Sequence, residues 1–263
     1  MIKILKLIKF INTTKIILII LSIFVVTLSS VINIYEKREQ IKRFVDHKIN
    51  KKDSYKQNED EDLYWSKKIL NGGYILHFRH AERDKWIDVT MYDALESDVH
   101  NKGLDQSRLA ENDYFKDAVC LNKRGIIQAK AMGESIKKIG MKVGKIYSSV
   151  SCRARQTSEL VFGSEGSLHR ILVHKGPYNE KKSERLDKLK KFYSEIDIIE
   201  GTNTIVSSHN SVIDCDMFVN KKCPNHLSLE EGGFYVISLS DKGLVFEHEF
   251  HYFNSFNKTF YLR

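Results

Sequence analysis

The chain has 263 residues, a formal net charge of +8, 42% hydrophobic residues and 29% charged residues. That balance supports a buried core and excludes a mainly disordered chain. Two prolines, Pro177 and Pro224, exclude collagen-like and mucin-like stalks, and no repeat of about 20–50 residues points to a solenoid or propeller.

The charge is unevenly placed. Residues 1–35 carry Lys3, Lys6, Lys9 and Lys15 and no acid, whereas residues 36–62 carry eight basic and eight acidic side chains. The remaining excess is spread along 63–263, so the basic balance does not mark a nucleic-acid surface, and no nucleic-acid partner is expected. Residues 16–34 read IILIILSIFVVTLSSVINI, 19 residues without a charge. At about 1.5 Å of rise per residue such a helix crosses a hydrocarbon core of roughly 30 Å. It is apolar on every face and follows a lysine-rich stub, which reads as a membrane anchor rather than a core helix. A cleaved signal peptide is the rival, with Leu28, Ser29 and Ser30 near a cut site. The run outlasts a usual signal core and lacks an A-x-A box, so the uncleaved anchor is preferred.

The expected organisation is therefore a stub and anchor over 1–35, a solvated charged stalk over 36–62 and a main domain over 63–263. Lysines flank the span on both sides, so the charge rule for orientation conflicts with itself. The cysteines decide: Cys120, Cys152, Cys215 and Cys223 all follow the span, and an even count fits an oxidising compartment, the alternative being four reduced thiols. The expectation is a domain outside the cytoplasm, on the periplasmic or extracellular side.

From residue 63 strands and helices alternate. Tyr74 to Phe78, Lys145 to Ser148, Ile171 to Val173, Thr204 to Ser207, Phe234 to Leu239 and Val245 to Phe250 read as strands. Ile126, Ala129, Met132, Ile136 and Ile139 mark a helix closed by Gly140. Arg153 to Phe162 marks one closed by Gly163, and Ser183 to Ile196 marks a charged amphipathic one. This predicts an α/β fold, a three-layer sandwich with a mostly parallel central sheet, plus the N-terminal transmembrane helix. Ligands in such folds bind beyond the carboxyl ends of the strands. Three polar clusters fall there: Arg79-His80, Ser148-Ser149-Val150-Ser151-Cys152-Arg153, and Ser207-Ser208-His209-Asn210. One histidine at a strand end is ordinarily structural; three such clusters in succession point to a site.

These residues resemble the motifs of the histidine phosphatase superfamily, the phosphoglycerate mutase-like branch 1. Arg79-His80-Ala81 is similar to its Arg-His-Gly motif, with alanine in the glycine position. Leu121 to Gly125, with Gln128-Ala129 following, is similar to its helix-opening segment. Ser148 to Thr157 is similar to its second motif, with Val150 where proline is usual, and Val206 to Asn210 to the segment of its second histidine. The resemblance runs from about residue 70 onward, with an inserted cap near 85–119.

The resemblance implies a phosphatase that uses no metal and no cofactor. It makes His80 the nucleophile that forms a phosphohistidine and Arg79, Arg153 and His209 the phosphate-binding groups. The proton donor is expected at Glu180, with Glu82 as the alternative acid and Glu231 and Asp214 behind them. Asn210 after His209 argues against the other large branch, which carries a His-Asp pair. Cys120 and Cys152 are candidates for a bridge pinning the Arg153 loop, and Cys215 and Cys223 for a second bridge after His209. The expected substrate is a phosphorylated small molecule or phosphoprotein. The rival functions are a catalytically silent module that binds a phosphorylated ligand, a protein phosphohistidine phosphatase and, least favoured because of the anchor, a mutase.

Overall fold

The computed structural model describes residues 59–84, 116–173, 181–210, 212–222 and 229–261. The apolar segment 16–34, most of the expected cap, Glu180 and Cys223 lie outside the described residues. Among the described residues, no helix is long and apolar enough to cross a membrane.

Among the described residues, fourteen elements follow one another. They are α1 (Glu59–Leu70), β1 (Ile75–Arg79), α2 (Lys116–Val119), α3 (Lys123–Ile139), β2 (Val143–Ser149), α4 (Cys152–Phe162), β3 (Ser167–His169), a 3-10 turn (Arg170–Leu172), α5 (Lys182–Glu195), β4 (Asn203–Ser208), a second 3-10 turn (Cys215–Met217), β5 (Phe234–Ser240), β6 (Gly243–Phe250) and α6 (Phe253–Tyr261). The strands form one six-stranded sheet in the order β3-β2-β4-β1-β5-β6. β3, β2, β4 and β1 pair in parallel, and β5 runs antiparallel to both β1 and β6. The sheet is thus mixed, with β5 opposed to the rest.

Alternation along the strands builds two cores. Leu76, Phe78, Ile205, Phe234, Val236 and Phe250 face one side, with Ile69 of α1, Ala129, Met132 and Ile136 of α3, Val161 of α4 and Phe256 of α6. Ile75, Val206, Tyr235, Ile237 and Phe246 face the other, with Leu189 and Tyr193 of α5 and Met217. Helices therefore cover both faces, as a sheet buried on both sides requires.

Three expectations need correction. Ile171 to Val173 is not a strand. The strand precedes it at Ser167–His169, and Arg170–Leu172 forms the 3-10 turn, in which Leu172 is buried; the apolar triplet meets the core from a turn. The charged stalk also ends earlier than expected, because Glu59 to Asp62 form the first turn of α1. Four acids suit a helix N-terminus, and Asp62 is buried, accepting from His248 Nε2 at 2.8 Å, with Trp65 stacked on that imidazole. Finally, α6 had no counterpart among the expected elements, although Phe253, Phe256 and Phe260 recur at helical spacing and all join the first core.

The start of α3 is fixed from both directions. Asn122 caps it, its side chain accepting from Gly125 N at 2.8 Å, and Gly140 closes it in the left-handed conformation at φ 80°. Gly125 lies directly against the loop after β1: a β-carbon there would stand 1.9 Å from the Glu82 carbonyl oxygen. Gly125→Ala is therefore expected to displace that loop, costing about 1–3 kcal/mol in urea unfolding and lowering any activity that depends on His80.

Candidate active site

The register of the sheet assembles the site. β1 pairs with β4 at Phe78–Ser207 and Arg79–Ser208, and β2 pairs with β4 at Ser148–Ser207. The carboxyl ends of three adjacent parallel strands are therefore level, and the residues that follow them meet. His80 N donates to Ser208 O at 3.0 Å. The imidazoles of His80 and His209 lie edge to face with centroids 5.3 Å apart, and both are buried, at 4% and 3% exposure.

His80 has a defined tautomer. Its Nδ1 lies 2.7 Å from the Ala81 carbonyl oxygen. A carbonyl only accepts, so Nδ1 carries the proton and the lone pair resides on Nε2. Burial, reinforced by the positive charge of Arg153, Arg79 and Arg83, holds this imidazole well below the ordinary histidine pKa. The ring is neutral at physiological pH.

Arg153 sits in the first turn of α4 at 1% exposure and donates through Nη1 to Val119 O at 3.3 Å. Arg79 donates through Nη1 to Leu229 O and pairs through Nη2 with Glu231 at 3.3 Å. His209 Nε2 lies 3.0 Å from the hydroxyls of both Ser149 and Ser151. The structure thus brings His80, His209, Arg79 and Arg153 into one cluster.

Two further groups belong to the cluster, and the first of them was not singled out from the sequence. Arg83 acts electrostatically on His80 and donates through Nη1 to Ala118 O at 3.3 Å. Its position three residues beyond His80 is visible in the chain, but nothing in that spacing shows a loop residue turning back. His77, which at strand-to-loop spacing from His80 reads as a packing or hydrogen-bonding group rather than a metal ligand, hydrogen-bonds under the site: its Nε2 donates to His209 O at 3.3 Å, and its Nδ1 accepts from Tyr193 Oη at 2.5 Å. Burial lowers its pKa to about 4.

The carboxylates separate by their partners. Glu82 accepts from Asn122 Nδ2 at 3.2 Å and from Arg124 Nε at 2.8 Å, with Arg124 Nη2 also on the same oxygen. It serves as an anchor for the start of α3. Asp214 is held by Lys182 at 2.8 Å. Glu231 pairs with Arg79, on which Glu230 also acts electrostatically. Glu180 lies outside the described residues.

Cys120 and Cys152 form a disulfide with Cα atoms 4.9 Å apart, across a sequence separation of 32. Closing a loop of that length stabilises the fold by about 3–4 kcal/mol. Cys215 is also disulfide-bonded; the expected Cys215–Cys223 pairing involves a residue outside the described ones. Among the described residues, no cluster of three His, Cys, Asp or Glu side chains has the arrangement of a metal site.

A buried, neutral imidazole beside a second histidine and several guanidiniums is an arrangement for holding an oxyanion against a nitrogen nucleophile. Residues 114–176 match the family model of the histidine phosphatase superfamily (branch 1), a span that contains Arg153 and the disulfide but neither His80 nor His209. Over those residues the chain is similar to that superfamily.

Among solved structures, the chain is similar to the protein histidine phosphatase SixA complexed with tungstate, at 14% identity over 67% of this chain and 96% of that one, with a TM-score of 0.41. It is similar to a phosphoserine phosphatase variant from Entamoeba histolytica in complex with phosphoserine, at 16% identity over 72% and 99%, with a TM-score of 0.39. It is also similar to a phosphoglycerate mutase from Plasmodium falciparum, at 18% identity over 66% and 88%, with a TM-score of 0.35. No curated protein matches the chain significantly by sequence.

The buried histidines impose a pH dependence on stability. His77 has a folded pKa of about 4 against an ordinary 6.5. As pH falls, the unfolded chain takes up this proton first. The stability present above 6.5 is therefore lost progressively down to about pH 4, on the order of 3 kcal/mol from this residue. His80 shifts in the same direction and adds to the loss. Urea unfolding at pH 7 and pH 4.5 should show the fall, and His77→Gln should make it shallower.

Proposed function

We propose that the chain hydrolyses phosphomonoesters through a phosphohistidine on His80, without a metal, and that it works outside the cytoplasm, tethered to a membrane by residues 16–34. The observation that carries the enzymatic reading is the tautomer of His80: its proton is held by Ala81 O, so Nε2 presents a lone pair while burial, reinforced by the surrounding guanidiniums, keeps the ring uncharged.

The chemistry follows from these groups. Arg79, Arg153 and His209 bind the phosphoryl oxygens, the arginines through planar forks that a lysine cannot reproduce. His80 Nε2 forms a bond to phosphorus as the bond to the ester oxygen breaks. The departing oxygen takes a proton from a carboxylic acid, proposed as Glu180. The ring then carries the phosphoryl group with Nδ1 still protonated against Ala81 O. Water attacks phosphorus, giving a proton to the same carboxylate, while the P–N bond breaks and its electron pair returns to Nε2. Charge spread over the equatorial oxygens is stabilised throughout by the fixed guanidiniums, whose role parallels that of magnesium in nucleotide-driven phosphoryl transfer.

The extracytoplasmic assignment is supported by the Cys120–Cys152 disulfide, since such bonds persist mainly in oxidising compartments, and by the length and apolarity of 16–34. The substrate is a phosphorylated small molecule or a phosphoprotein.

His80→Ala is expected to reduce turnover of an aryl phosphate at least about a thousandfold while circular dichroism stays unchanged. Rapid quenching of the unaltered protein should trap an acid-labile, alkali-stable phosphate on His80; turnover without that adduct would overturn the covalent route. Arg153→Lys should lower kcat/KM by roughly ten- to a hundredfold. Glu180→Gln should impair hydrolysis of an alkyl phosphate far more than of an aryl phosphate with a good leaving group; equal losses would move the acid to another carboxylate, with Glu231→Gln the comparison. Protease treatment of intact cells should remove the domain and leave a membrane-bound stub.

A further inference from the structure

We propose that the Cys120–Cys152 disulfide positions two guanidinium groups of the site, so that affinity for a phosphoryl group depends on the bond being intact. The inference rests on the phosphatase reading and concerns the regulation of the same pocket.

Three observations converge on it. First, the carbonyls that orient the arginines belong to two adjacent residues of α2. Ala118 O accepts from Arg83 and Val119 O accepts from Arg153, each at 3.3 Å. Secondly, the disulfide joins the residue after that anchor to the residue before Arg153. The path from the Arg153 guanidinium to Val119 O, through Cys120 and the two sulfurs to Cys152, returns to the Arg153 backbone and closes a small ring. The side chain and its anchor are thereby held in a fixed relation at both ends. Thirdly, α2 is a single four-residue turn that has no share in either sheet core. Ala118, Val119, Cys120 and Cys152 form an apolar cluster of their own, separate from the two large ones. Half of that cluster consists of the bridged cysteines.

Cys120 N donates to Lys116 O at 2.8 Å within the turn itself. Leu121 N to Gln156 Oε1 at 2.8 Å and Asn122 N to Glu82 O at 3.2 Å hold the residues after the anchor. A helix this short has no stability of its own, so breaking the S–S bond frees the two carbonyls to move and both guanidiniums lose their fixed orientation. Reduction is a two-electron step. A phosphine reductant attacks one sulfur, the S–S bond breaks, water supplies the oxygen of the phosphine oxide and the two protons, and two thiols result. Cys120 and Cys152 are positioning residues here, since neither sulfur is proposed to touch the substrate.

The test uses the full chain, purified oxidised, and measures kcat and KM for p-nitrophenyl phosphate together with calorimetric binding of inorganic phosphate. The same measurements follow on protein reduced with a phosphine, on the reoxidised sample and on the Cys120→Ala/Cys152→Ala double variant. Thiol titration establishes the state, and circular dichroism well below the thermal transition establishes folding. The double variant separates this bridge from the one at Cys215, and reversible reduction decides the matter if the variant does not fold. The expected result is phosphate binding weakened at least tenfold and KM raised by a similar factor in both the reduced and the double-variant protein, with recovery on reoxidation. Phosphate affinity and KM unchanged within twofold while the two thiols are titratable would overturn the positioning role and leave the phosphatase reading intact. Oxidised, folded protein that neither binds phosphate nor hydrolyses the ester would overturn the phosphatase reading and this inference with it.

Discussion

The arrangement depends on positive charge held out of water. Arg153 is 1% exposed and the side chain of Arg79 is 13% exposed. A buried guanidinium is costly unless its N–H groups are satisfied. Carbonyl oxygens of Val119 and Leu229 accept from Arg153 and Arg79, Ala118 O accepts from Arg83, and Glu231 pairs with Arg79. Carbonyls satisfy donors without cancelling charge, which keeps a net positive field where a dianion would sit. Burial lowers the pKa of His80, and the same field reinforces the shift.

The loops that carry this charge are tied to one another as well as to the sheet. Thr157 Oγ1 donates to Arg153 O at 2.7 Å and accepts from Ala81 N at 2.9 Å, linking α4 to the loop after His80. Gln128 of α3 accepts from Glu82 N at 2.9 Å and donates to Glu231 O at 2.7 Å. One side chain thus spans the loop after His80 and the loop that carries the partner of Arg79. Ser207 Oγ donates to Ala154 O at 2.8 Å, setting α4 on the end of β4. Side-chain to backbone bonds of this kind fix loops that have no ladder to hold them.

The sequence was most legible where periodicity and chain ends coincide. The alternation around Ile75 and Leu76, the 3.6-residue repeat of α3 and its closing Gly140 gave the right elements because burial dictates them. The level strand ends, and with them the meeting of His80 and His209, followed from the parallel arrangement. What could not be read is what depends on pairings across the fold. The pairing of Glu82 with Arg124, 42 residues away, is not visible in the chain. Asp62 looked like the end of a solvated stalk because His248 lies 186 residues on. The apolar triplet at 171–173 has strand composition, yet it follows the strand rather than forming it. Short apolar runs are ambiguous in this way, since local composition fixes burial but not hydrogen-bond direction.

His77 shows how both histidines of the site come to depend on one strand. Arg79 ends β1 and His80 follows it, while His77, two residues before Arg79, faces the second core and reaches under the site to hold the carbonyl of His209. Its other nitrogen is occupied by Tyr193 of α5, a helix docked by Leu189 and Tyr193 into the second core. Neutral His77 serves as donor to the carbonyl and acceptor from the phenol at once; a protonated ring would lose the acceptor. Burial that lowers its pKa to about 4 is thus what keeps the link between α5 and the His209 loop intact across the neutral range. A displacement of α5 would be transmitted to His209 through two hydrogen bonds, whereas His80, bonded to Ser208 and Ala81, is held by the sheet end itself.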